Sequence, residues 1–378
     1  MPAATALQIT PLENAPFGAV VSLPEGVSDP SLLSDEDFKK LKEGLQKNLV
    51  LVIPKQEELP PRSQHQLTIR FDPSCIGNYG HDEKLFHHKN SVLAKDGKCF
   101  QDTPEVIMVG NSKFPAGFQP GIVKDVELEH PTHYTFHKDV LTDEQRERGQ
   151  TRFFRWHIDA ALYGLSPPQV TTLLGCVVPP QTEKQKIIYE DTNEELELVK
   201  GSTAFASGAI AFKLLSPEDQ EMALNTTVVY APHPYIYISK AKATSDGLTM
   251  VSEGKEYPFE ELPEWEESKI KKLPLVWTNP TTGEHHLQVH GCCVYQLINN
   301  KTGEIKELEE ARKEVHRLMR PAISPQHIYC HPWKEGDLVI FFNRGLWHSV
   351  TGEFGPEEKR MMHQCNVASG EDPICVKN

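Results

Sequence analysis

No run in this chain approaches the ~18 consecutive apolar residues that a spanning helix needs, so no membrane helix is expected. No CxxC occurs among the eight cysteines, and only Cys292 and Cys293 are adjacent, which argues against a zinc ribbon. No long Lys/Arg run is present. With a net charge of −14, neither nucleic acid nor an anionic membrane surface is an expected partner. Met1 to Thr10 has no basic stretch followed by an apolar one, so no secretory signal is expected. The cysteines are then expected to be free thiols in a reducing cytoplasm. There is no internal repeat and no low-complexity tract. What remains is a globular chain of 378 residues, 24% charged, with ample length for a large core.

Ser34 followed by Asp35, Glu36 and Asp37 reads as a helix start, a serine cap with three acids at the positive end of the dipole. Phe38, Leu41 and Leu45 then recur at helical spacing. Residues 49–53 read as a strand, and Pro60-Pro61 opens a second helix through Phe71. Residues 72–98, rich in Gly, His, Lys and Asp, read as a surface loop. A short buried strand at 105–110, a loop at 111–121 and a polar surface segment at 141–151 follow. From Phe153 the pattern changes. Stretches at 170–178, 186–189, 228–230, 235–238, 273–277, 287–290, 327–330, 338–342 and 361–367 are short, mostly β-branched or aromatic, and bounded by turn residues. That is the profile of a sandwich, jelly roll or barrel. Helices interrupt it at 203–215, after the Ser216-Pro217 cap, and at 304–319, and 239–247 reads as a mobile loop. The expected organisation is one mainly β domain, with residues 1–105 as its flank and 106–378 as its core with insertions.

His157 and Asp159 are two apart, so on a strand both side chains face one side. His348, after the 338–342 strand and the Asn343-Arg344-Gly345 turn, suits the role of a third ligand. Two imidazoles and a carboxylate hold an ion on one face and leave about three octahedral positions open, the ligand set of a non-haem Fe(II) oxygenase. HxD arises by chance in a chain with 17 histidines, and it recurs at His137-Lys138-Asp139 and His81-Asp82-Glu83. The first reads as an exposed pair in a charged loop, and the second lies in the 72–98 loop. His87-His88, His130, His133 and His285-His286 have no carboxylate two residues on and read as surface or core histidines. A structural zinc site would want four closed ligands, and no fourth is evident near His157. Arg360 lies 12 residues after His348. One strand along, its guanidinium can clamp the distal carboxylate of a dicarboxylate. Because Glu357, Glu358 and Lys359 precede it, a surface arginine is the other reading.

Four motifs follow in order: Trp156-His157-Ile158-Asp159, Gly201-Ser202-Thr203-Ala204-Phe205-Ala206-Ser207, Phe342-Asn343-Arg344-Gly345-Leu346-Trp347-His348 and Lys359-Arg360-Met361-Met362-His363. Together they resemble the taurine-dioxygenase-like family of 2-oxoglutarate-dependent oxygenases over residues 106–367. The resemblance implies a double-stranded β-helix, a distorted jelly roll with flanking helices. It implies Fe(II), 2-oxoglutarate as cosubstrate and O₂. His157, Asp159 and His348 would be the iron ligands. Arg360 would clamp the distal carboxylate of 2-oxoglutarate, with Thr203 as its hydroxyl partner. Thr203 lies further from Asp159 than is usual in the family, with residues 181–200 reading as an added hairpin; a helix cap is the other reading of Thr203.

Family members acting on sulfonates carry a second arginine four residues after the clamp. Here that position is Gln364, a neutral amide with both donor and acceptor. It suits the edge of a heterocycle better than a sulfonate. Asn366 shares its face if the segment is a strand; ordinary polar lining is the other reading of the pair. Within the family, RWHIDAALYGL (155–165), LLSPEDQ (214–220), APHPYI (231–236), MVSEG (250–254), RPAISP (320–325) and HQCN (363–366) resemble the fungal-type xanthine dioxygenases. That resemblance implies a small purine partner and oxidation of xanthine at C8 to urate, with release of succinate and CO₂. It also implies purine contacts from Gln364 and Asn366, and from Lys124 toward an anionic purine. A solvated surface lysine is the other reading of Lys124. Phe153 and Trp156 offer an aromatic face, with core packing as the alternative for Trp156. A related oxygenase of another small molecule is the competing reading of the whole.

Overall fold

The computed structural model describes residues 6–77, 88–93, 97–355 and 357–377. Ser34 accepts a hydrogen bond from the Asp37 amide (3.1 Å) and opens the helix Asp35–Asn48. The helix stops at Leu49, where φ is +65°, and the strand Val50–Ile53 follows at once. A second helix, Pro61–Phe71, packs its Phe71 ring on Phe38 at 4.9 Å. This second helix lies on one face of the main sheet. Gln64 Nε2 donates to the carbonyls of Thr172 (3.1 Å) and His363 (2.9 Å).

Among the described residues the main sheet runs in the order Gln8–Pro11, Ala19–Ser22, Val50–Ile53, Leu338–Phe342, Val170–Val177, Arg360–Asn366, Val106–Phe114 and Lys98–Cys99, with Val126–Leu128 paired to Val106–Phe114. Every pairing is antiparallel except Ala19–Ser22 with Val50–Ile53. A smaller antiparallel sheet places Thr203–Ser207 between Ile328–His331 and Leu346–Val350. Leu338–Phe342 and Leu346–Val350 are joined by the short turn at Asn343, Arg344 and Gly345, yet lie in different sheets. The apolar side chains between the sheets, Leu173, Phe341, Phe205 and Leu346 among them, belong to one buried cluster. The Phe205 and Phe341 rings stand 5.3 Å apart across it. Each such side chain contributes roughly 1.5–3 kcal/mol when removed from water. The result is the expected mainly β jelly roll with flanking helices. The segment between the Thr203–Ser207 and Ile328–His331 strands carries its own sheet, with Thr226–Tyr230 central and the helix Leu308–Met319 packed on Val294–Asn299. No helix among the described residues is long and apolar enough to cross a membrane.

The hairpin expected at 181–200 is present as Lys184–Ile188 paired with Glu195–Val199. Other expectations need correction. The segment 203–215 is not one helix. Its first part is the strand Thr203–Ser207, and the helix Gly208–Lys213 begins only where Ser207 caps the Ile210 amide. The two neighbouring strands leave the backbone of Thr203 no freedom to coil, so the helix-cap reading of Thr203 falls. Residues 235–238 are not a strand: Pro234–Tyr237 is a short helix entered through His233 in a left-handed conformation (φ +44°). The 111–121 segment is strand as far as Phe114, because Asn111 pairs with Arg360 and Ser112 with Leu128. Residues 239–247 are tied down, since Gly247 O accepts from Trp156 N (3.0 Å) and Ala243 bridges His137 and Met250. His81, Asp82, Glu83 and His87 lie outside the described residues.

Gly110 sits where Val106–Phe114 crosses the start of Arg360–Asn366. A Cβ there would stand 2.0 Å from the Arg360 carbonyl oxygen. Gly110→Ala is therefore expected to destabilise the protein by about 1–3 kcal/mol, read as a lowered urea midpoint. An unchanged midpoint would mean that these strands do not approach so closely.

Candidate active site

The segment carrying His157 is held against Leu346–Val350 by a reciprocal backbone pair. His157 N donates to His348 O and His348 N donates to His157 O, both at 3.0 Å. Directly paired residues point to the same side of a sheet, and the two imidazole rings lie 4.0 Å apart. Asp159 follows two residues on. Its Oδ1 is 3.9 Å from His157 Nε2 and 3.8 Å from His348 Nε2. One ligand atom from each of the three lies within 4.8 Å of the others, and they form the sole such His/Cys/Asp/Glu group among the described residues. Asp159 and His348 are buried, whereas His157 keeps 17% exposure, so the cluster is closed behind and accessible on one side.

The surroundings prepare these atoms for a cation. His157 Nδ1 lies 2.9 Å from the Arg155 carbonyl. That contact requires the proton on Nδ1 and leaves the Nε2 lone pair free. Burial, with neighbouring His348 and Arg155, pushes the His157 imidazole well below its usual range. Burial, then Arg155, pushes His348 down to about 3. Both rings are therefore neutral donors at physiological pH. The Asp159 backbone is pinned by Asn343, whose Oδ1 accepts from Asp159 N (2.8 Å) and whose Nδ2 donates to Asp159 O (2.8 Å) and Pro168 O (2.9 Å). Thr171 Oγ1 donates to Asp159 Oδ2 at 2.6 Å. Two neutral imidazoles and one carboxylate with an open side fit a six-coordinate Fe(II) better than a closed tetrahedral zinc.

Arg360 opens the strand Arg360–Asn366 and is only 3% exposed. Its Nε has no hydrogen-bond partner, and no carboxylate pairs with the guanidinium among the described residues. Burial lowers it to about 10, so it stays charged at neutral pH. A buried unpaired cation is costly, and an anionic ligand would relieve that cost. Thr203 pairs with Val350, and Phe205 two residues on pairs with His348, so Thr203 shares a face with the histidine. Thr203 Oγ1 accepts from Trp333 Nε1 at 3.0 Å, which leaves the hydroxyl proton available. Gln364 Nε2 lies 3.3 and 3.2 Å from the two Asp159 carboxylate oxygens. The Asn366 amide is fully buried with neither its O nor its N partnered.

Lys124 does not join this cluster: it is exposed, on the connection between Val106–Phe114 and Val126–Leu128. Trp156 is fully buried with its ring 4.7 Å from Phe153, a core role. The second HxD pair divides. His137 is buried rather than exposed, its Nε2 2.8 Å from Phe154 O, while Asp139 faces solvent. Thr171 and Asn343 were missed by motif reasoning. The signal for Thr171 was a hydroxyl inside an apolar strand, which must find a partner. Asn343 lay inside a recognised motif but read only as a turn residue.

Burial holds His130 and His348 down at about 3, and His137, His286 and His363 at about 4. In the unfolded chain these imidazoles titrate near 6.5. The unfolded state thus binds more protons below that value, and stability declines as pH falls. His316, raised by its hydrogen bond to Asp246, acts in the opposite sense but is one group against five. The urea midpoint of the metal-free protein is expected to drop steadily from about pH 7 to about pH 5. A flat profile would show that these rings reach solvent.

Known proteins place this arrangement. The chain is 44% identical over 377 residues to the alpha-ketoglutarate-dependent xanthine dioxygenase xanA of Emericella nidulans, covering 99% of both chains. It is 43% identical over 369 residues to xan1 of Schizosaccharomyces pombe, a protein of the same description, covering 94% of this chain and 86% of the relative. A taurine dioxygenase from Burkholderia xenovorans shares the fold with a TM-score of 0.57 at 15% identity, over 99% of this chain and 97% of that one. Residues 8–366 match the family described as taurine catabolism dioxygenase TauD, TfdA. The chain belongs to the TauD/TfdA family of dioxygenases.

Proposed function

We propose that this protein is an Fe(II)- and 2-oxoglutarate-dependent dioxygenase that hydroxylates xanthine at C8 to urate, with release of succinate and CO₂. The observation that carries the cosubstrate is Arg360. A metal centre alone has no use for a buried, unpaired guanidinium, whereas a dicarboxylate chelating that metal presents its far carboxylate to one. The relatives at 43–44% identity supply the substrate. The Asn366 amide, sealed and unpartnered, suits a ring with adjacent N–H and C=O groups.

When bound, Fe(II) and 2-oxoglutarate supply the oxidising chemistry with O₂. The side chains bind, orient and exclude water. His157 and His348 offer neutral Nε2 atoms, and Asp159 offers the single negative charge. Arg360 would hold the distal carboxylate, and Thr203, whose hydroxyl accepts from Trp333 and so keeps its proton to give, would donate to the same group. Gln364 Nε2 is directed to Asp159, so its Oε1 remains for a substrate N–H. We further propose that residues 1–105 belong to the catalytic domain, since Val50–Ile53 pairs directly with Leu338–Phe342. The net charge of −14 supports a small-molecule partner over nucleic acid or an anionic membrane surface. A reducing cytoplasmic setting agrees with eight free cysteines.

The test is purified protein with Fe(II), 2-oxoglutarate, ascorbate and xanthine, followed by urate absorbance and succinate yield. Succinate with another substrate but no urate would overturn xanthine and spare the oxygenase. Arg360→Lys is expected to raise the KM for 2-oxoglutarate about 10–100-fold, the loss of a charged hydrogen bond of roughly 1.5–3 kcal/mol. An unchanged KM would remove Arg360 from the clamp role.

A further inference from the structure

We propose that Thr171 is a positioning residue whose hydroxyl makes Asp159 bind the metal through one oxygen only, a proposal that rests on the metal-site reading above. Thr171 is fully buried in Val170–Val177, paired with Asn366 on one side and Phe341 on the other. Successive strand residues face opposite ways. Thr172 turns toward the helix, where its Oγ1 lies 2.8 Å from Thr68 Oγ1. Thr171 therefore turns to the inner face and reaches Asp159 Oδ2 at 2.6 Å. A hydroxyl-to-carboxylate bond of that length is of the strong, charge-assisted kind.

The two carboxylate oxygens are thereby made unequal. Oδ1 faces both imidazole Nε2 atoms, at 3.9 and 3.8 Å. Oδ2 is occupied by the one proton that Thr171 has to give. Gln364 does not create this asymmetry, because its amide is almost equidistant from both oxygens, 3.3 and 3.2 Å. Nor can the backbone swing the carboxylate round, because Asn343 grips both the N–H and the C=O of Asp159.

The consequence is a count of positions. An octahedral ion with one donor from each of three side chains keeps about three positions open. A chelating oxoacid takes two of them and leaves one for O₂. A carboxylate bound through both oxygens would fill that last position. The Thr171 hydroxyl thus keeps it open.

Thr171→Val removes the hydroxyl at nearly constant volume, Thr171→Ser retains it, and Thr171→Ala is a second hydroxyl-free variant with no risk of overpacking. Each is loaded anaerobically with Fe(II) and 2-oxoglutarate, checked for the charge-transfer band, then titrated with nitric oxide by EPR to probe the open position. Thr171→Val and Thr171→Ala are expected to show the band yet need about 10–100-fold more nitric oxide, the usual scale for losing an outer-shell partner. Thr171→Ser is expected to behave as wild type. Wild-type nitric oxide affinity in either hydroxyl-free variant that folds overturns the proposal and leaves the metal site standing. Absence of the band in the wild-type protein overturns the reading on which it rests.

Discussion

The two hydrogen bonds between the backbones of His157 and His348 are the constraint on which the site depends. They join the segment around His157, which lies outside the strands, to the middle of Leu346–Val350. A backbone pair is a rigid ruler: it sets the two imidazoles side by side, and the alternation of side chains then brings Asp159 to the same side. Separation in sequence of about 190 residues costs loop-closure entropy once, and that cost grows only slowly with length. Many packed residues on both sheets meet it together, so no single contact near the site needs to.

Around that pair the protein accepts polar groups that it leaves unsatisfied. Arg360 and Asn366 lie in buried surroundings: the guanidinium has the Phe354 ring at 5.9 Å but no carboxylate among the described residues, and the amide has no hydrogen-bond partner. Each is destabilising in the ligand-free fold, and each points to a ligand group of opposite character. His157 and His348 are held neutral by the same burial. The site is therefore preorganised, and little reorganisation is left for the moment of binding. The jelly roll tolerates this because a large apolar cluster, with Leu173, Phe205, Phe341 and Leu346, packs beside the site.

Much of this was legible in the residues. The capped helix after Ser34, the strands at 170–178 and 338–342, and the ligand set His157, Asp159 and His348 all follow from local pattern. Gln364 and Asn366 were placed on one face by the period of a strand, and both lie on that strand. The misreadings have one physical source. The 203–215 segment reads as one helix, yet Thr203–Ser207 is strand because two neighbours claim its backbone hydrogen bonds. His137 has polar neighbours in sequence, yet it is buried because the Phe154 carbonyl and the Ala243 segment close over it.

By itself the sequence determined the elements whose signals are local: caps, alternation, turn residues, and the chemical kinds of ligand that two imidazoles, a carboxylate and an arginine can hold. Tertiary structure alone decided that His137 is buried while Asp139 faces solvent, that Arg360 lies buried with no counter-ion among the described residues, that Lys124 faces solvent, and that Thr171 holds one oxygen of Asp159. The reason is that burial and hydrogen-bond partnership are properties of pairs distant along the chain. Side-chain type limits what such a pair can do, but only the packed sheets determine which pairs form.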